Sequence, residues 1–105
     1  MDTAKKPEAI ERIKAMEAKS QQLDNSFQTL TEALTQIQKQ LPAYQALKAY
    51  YYSEDWEQDR EFSDSPDFPQ GLACGVLSED EIYNLLGNAH SNALQMLETA
   101  LALLK

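Results

Sequence analysis

The chain has 105 residues, 43% of them hydrophobic and 25% charged, which suits one small globular domain spanning 1–105 and excludes a wholly disordered chain. Its formal net charge of -8 disfavours direct binding to nucleic acid or to an anionic membrane. One cysteine, Cys74, leaves no internal disulfide, and no apolar run approaches the roughly 20 residues of a bilayer span. These features, with no apolar signal core after Met1, point to a cytoplasmic protein.

The acidity is local. Residues 1–52 are nearly neutral, residues 53–81 hold ten acids against one base, and the remainder is neutral. From Pro7 to Gln40 there is no glycine or further proline. Ile13, Met16, Leu23, Phe27, Leu30, Leu34, Ile37 and Leu41 step by three and four, with Ser20 in the one polar gap. That is a helix with a heptad seam. Pro42 predicts a tight turn after Leu41, with a second helix over residues 42–52. Ser53 predicts the cap of a short helix near 54–62.

Ser63 to Gly71 reads as a loop, with two prolines and a glycine among short polar residues. The best-marked boundary is Ser78-Glu79-Asp80-Glu81, a capping box, with Leu77 and Ile82 placed as a hydrophobic staple. A helix from 79 to 104 follows, its stripe running through Ile82, Leu86, Ala89, Ala93, Met96, Ala100 and Leu103. The expected fold is all-α: a long antiparallel hairpin of residues 8–40 and 79–104, with the shorter helices packed at one end. The Ile13–Leu23 part of the seam is expected to be left over, which suits a homodimer.

Tyr51-Tyr52, Trp56 and Asp59, followed by Gly75-Val76-Leu77-Ser78-Glu79-Asp80-Glu81-Ile82-Tyr83-Asn84-Leu85-Leu86, resemble a small bacterial family known as a domain of unknown function. The resemblance implies an all-helical cytosolic protein and brings no catalytic residues. The chain departs from the family pattern at Phe68 to Cys74, where basic residues are absent.

No catalytic, cofactor-binding or metal-ligating set is expected. His90 is the only histidine, and a general base or a zinc site needs partners that its spacing from Cys74 does not supply. The acids of 54–67 lack the register of a calcium loop and read as solvated surface. Ser78 is explained by capping rather than nucleophilic chemistry.

The aromatics say more. Seven of nine lie between Tyr44 and Phe68, interleaved with the acids. Successive helical residues point about 100° apart, so Tyr50, Tyr51 and Tyr52 cannot all face a core. One reading makes the group a plug for the bundle end, with hydroxyls bonded to loop carboxylates. The functional reading makes Tyr50, Tyr52, Trp56, Asp59 and Glu61 a surface for a basic protein partner, in a non-enzymatic interaction module. The alternatives are a ligand-binding protein or enzyme with a pocket between helix 42–52 and the 63–77 loop, and a nucleic-acid mimic that occupies a basic protein's groove.

Overall fold

The computed structural model describes residues 5–105. The protein is all-α. Among the described residues three α-helices follow in order, α1 (Lys6–Tyr51), α2 (Glu54–Ser63) and α3 (Glu79–Leu104), with a 3₁₀ turn at Gly75–Leu77 before α3. There is no strand among the described residues. None of the described helices is long and apolar enough to cross a membrane. The chain divides into two compact units, Met1–Leu41 and Pro42–Lys105.

The first unit is the N-terminal part of α1. Good helix formers and the absence of glycine carry it, and Glu8 sits favourably in the first turn against the helix dipole. Thr29, Thr31 and Thr35 turn their hydroxyls back onto carbonyls four residues earlier, at 2.9–3.1 Å. This satisfies three polar side chains without interrupting the ladder. Taken by itself the unit buries none of its seam. Ile13 is 60% exposed and Leu30 is 41% exposed, and of the seam residues only Leu34 is half-buried. A lone helix has no second surface on which to hide an apolar edge.

The turn expected at Pro42 is absent. Pro42 lies inside α1, which continues to Tyr51. Proline lacks the N–H that would bond the Gln38 carbonyl, a defect worth about 3 kcal/mol in a helix interior. Nothing nearby supplies the alternative. No glycine or asparagine stands next to Pro42 to reverse the chain, and Tyr44, Leu47 and Tyr51 keep the helical phase.

In the second unit, α1 ends where the Ser53 N–H bonds the Tyr50 carbonyl at 3.0 Å. Ser53 then adopts an extended conformation as the N-cap of α2, its hydroxyl accepting from the Trp56 N–H at 3.3 Å. The loop after α2 is built of short turns: Ser65 N–H to the Phe62 carbonyl, Phe68 N–H to Ser65, and Leu72 N–H to Pro69. Gly71 takes a φ of +81°, a value that glycine reaches without steric penalty. Phe62 and Phe68 meet edge to face across the loop, 5.6 Å between centroids.

The Ser78 hydroxyl caps α3 as expected, accepting from the Glu81 N–H at 3.2 Å. The reciprocal half of the capping box is not formed. The Ser78 N–H bonds the Gly75 carbonyl at 3.0 Å instead. The Glu81 carboxylate rests over the bare Gly75 Cα, where a Cβ would come within 2.6 Å of Oε2. On α3, Ile82 is 1% exposed and Leu86 and Ala89 are half-buried. Beyond Ala89 every position is exposed, so the expected stripe through Met96 and Leu103 is not buried within this unit.

Because Pro42 interrupts a continuous helix, Pro42→Ala should raise stability by about 1–3 kcal/mol, read from urea unfolding followed by circular dichroism. An unchanged or lower midpoint would mean that the chain breaks at Leu41.

Candidate functional site

The site belongs to the second unit and is organised around Trp56. The Ser53 cap sets the start of α2, so its first turn delivers the indole inward, where Trp56 is 8% exposed. Its ring N–H donates to the Val76 carbonyl at 2.9 Å. This bond joins α2 to the 3₁₀ turn before α3, twenty residues on. Tyr51 meets the indole edge to face at 5.2 Å, and Tyr52 meets Tyr51 the same way at 5.2 Å. The Arg60 guanidinium sits 5.6 Å from the indole ring centre and pairs with Glu79 at 2.6 Å. Arg60 therefore covers the ring while tying α2 to the first turn of α3. Both partners are largely exposed, so the ion pair itself adds at most about 1 kcal/mol.

Tyr50 donates its hydroxyl to Asp59 Oδ2 at 2.6 Å. That bond needs the neutral phenol. Ionisation would set two negative oxygens against each other, with Asp55 adding to the field. The Asp59 hydrogen bond, then partial burial, then the two carboxylate charges push the Tyr50 hydroxyl up to about 12. Ser53 adds a second tie by donating to the Tyr50 carbonyl at 2.6 Å.

Of the five residues expected on a partner surface, the fold brings Tyr50 and Asp59 into contact. Tyr52 is 71% exposed, and Asp59 and Glu61 are exposed on α2. Trp56 faces inward, so it shapes the surface from beneath. Glu54, Asp55, Glu57 and Asp64 are exposed as well, which makes the solvent side of α2 strongly negative. Sequence reasoning gave Val76 and Glu79 only their roles before and within the α3 cap. No spacing rule links them to Trp56 or Arg60.

A hollow of about 460 Å³ in this unit is lined by Leu47, Val76, Glu81, Ile82, Asn84, Leu85 and Asn88. It is an open, mainly apolar recess that takes Leu47 from the end of α1, Val76 from the 63–77 segment and the rest from the start of α3. His90 is exposed and Cys74 is a half-buried free thiol. Among the described residues no three His, Cys, Asp or Glu side chains converge as a metal site.

Residues 13–99 match the family described as a domain of unknown function, DUF4298. The chain belongs to this family. The matched span takes in all of α2, the loop and most of α3, so the Trp56 anchor lies wholly within the DUF4298 region. No curated protein matches the chain.

Two measurements check this geometry. Trp56→Phe removes the bond to Val76 and leaves a carbonyl without its donor. It should cost about 1–3 kcal/mol in urea unfolding, whereas an unchanged midpoint would mean that the indole bond does not hold the unit together. Tyr50 has a folded pKa above the ordinary tyrosine value of about 10. Its contribution to stability is therefore full below about pH 10 and lost as pH rises towards about 12. Tyrosinate absorbance should show one late-titrating group that disappears in Tyr50→Phe.

Proposed function

We propose that this DUF4298 protein is a non-enzymatic interaction module and that its contact face lies on the outer side of α2 and the adjoining end of α1. Tyr52, Asp59 and Glu61 make the contact, with Tyr50 held in place by Asp59. The partner is a protein segment bearing Arg or Lys.

The observation that carries this reading is Tyr52, exposed at 71% yet braced against Tyr51 and set two residues before an acidic helix. An aromatic ring held by a neighbour loses little side-chain freedom on binding, and tyrosine suits the centre of a contact. The surrounding carboxylates steer a cationic partner and can hydrogen-bond a guanidinium in pairs. Among the described residues, Asp59 is the one acid on α2 with a polar partner, the Tyr50 hydroxyl, so the other carboxylates of that face are open to recognition.

Trp56 is a poor residue with which to test this, because truncating it would unfold the face it supports. The informative variant is Tyr52→Ser/Asp59→Asn/Glu61→Gln, with Trp56 intact. Helical content should be unchanged, and partner recovery in affinity capture should fall at least tenfold. For the wild type, recovery should fall as salt rises. Full recovery by the variant would place the contact elsewhere on the molecule.

A further inference from the structure

The apolar edge of α1 between Ile13 and Leu41 is uncovered within its own unit, and the charges beside it have an order that a single chain leaves unused. The seam keeps a strict seven-residue repeat. Its first position is held by Ile13, Ser20, Phe27, Leu34 and Leu41, and Met16 to Ile37 fill the second. Four full heptads is the length at which such a pattern argues for a coiled coil. The flanking positions decide the occupant. Arg12 and Lys19 precede the first-position residues, while Glu17 and Asp24 follow the second-position ones. All four are exposed, and among the described residues of this unit the ion pair joins Lys14 to Glu11 instead.

We propose that a second copy of this chain docks on this edge, parallel and in register. In that arrangement each flanking residue faces the one five positions later on the other helix. Arg12 then meets Glu17 of the second copy, and Lys19 meets Asp24. Two-fold symmetry makes four attractive contacts from two pairs. An antiparallel arrangement centred on the same seam instead sets Arg12, Glu17, Lys19 and Asp24 opposite neutral residues of the second copy. Sliding the parallel pair by one heptad keeps only two of the four contacts, Arg12 against Asp24 and Lys19 against Glu17. Charge complementarity therefore selects the parallel, in-register pair. Ser20 places one polar layer in an otherwise apolar seam, a device that penalises slipped registers.

Sedimentation equilibrium of the full chain across the micromolar range should give the mass of two chains. The mass of a single chain throughout that range overturns the proposal. Glu17→Lys/Asp24→Lys and Arg12→Glu/Lys19→Glu should each self-associate at least tenfold more weakly than the wild type, while their mixture recovers the two-chain species. Glu8→Lys/Glu32→Lys, which makes the same charge change off the seam, should associate like the wild type. Loss no greater than in that control overturns the pairing.

Orientation is read by Ser20→Cys and Leu34→Cys, made separately in a Cys74→Ala background and oxidised. The parallel register cross-links both variants. An antiparallel pair can bring only one of these positions opposite itself, so a cross-link at one site or neither overturns the assignment.

Discussion

The second unit depends on one buried ring. Trp56 gives up nearly all its solvent contact, and its one polar atom finds the Val76 carbonyl at 2.9 Å. Burying an indole is strongly favourable only if that N–H is satisfied, because an unpaired donor away from water would cancel much of the gain. The bond also decides topology. It draws the turn that starts α3 against the start of α2, so the loop between them must fold back over a short distance. Tyr51 and Arg60 both pack against the ring.

With its largest apolar group turned inward, α2 presents five carboxylates to solvent, beside Gln58, Arg60 and Phe62. Such a helix is poorly stabilised by its own composition, since neighbouring carboxylates repel. Three features offset this. Ser53 caps the first turn, Glu54, Asp55 and Glu57 sit near the positive end of the helix dipole, and Arg60 lies in the last turn. Asp59 also has its carboxylate solvated in part by the Tyr50 hydroxyl, which donates to it. The negative surface is thus held by the aromatic group beneath it rather than opposed by it.

The N-terminal segment follows a different logic. Its helix has no internal core and leaves a continuous apolar edge exposed, with opposite charges alternating beside it. Exposed edges of this length are costly in water and mark sites of association. The edge proposed for self-association and the face proposed for a partner therefore lie in different units.

Much of this was legible in the amino-acid order. The all-α class, the limits of α3, the Ser53 and Ser78 caps and the acidic character of residues 53–81 follow from local chemistry: helical periodicity, short hydroxyl side chains before helices, and charge. Pro42 misled because a proline signals a break only where the flanking residues can reverse the chain, and here they prefer helix. Trp56 misled for a longer-range reason. Its type and spacing suited a contact surface, but its partner is a main-chain carbonyl twenty residues away, and a backbone carbonyl carries no residue-type signature. The same holds for Arg60 with Glu79, and for Glu81, whose carboxylate turned to Gly75 once the Ser78 N–H was taken. Local order determined which segments are helices and where they start. Tertiary structure decided which face of α2 is inside, because that depends on a hydrogen bond between parts of the chain that only folding brings together.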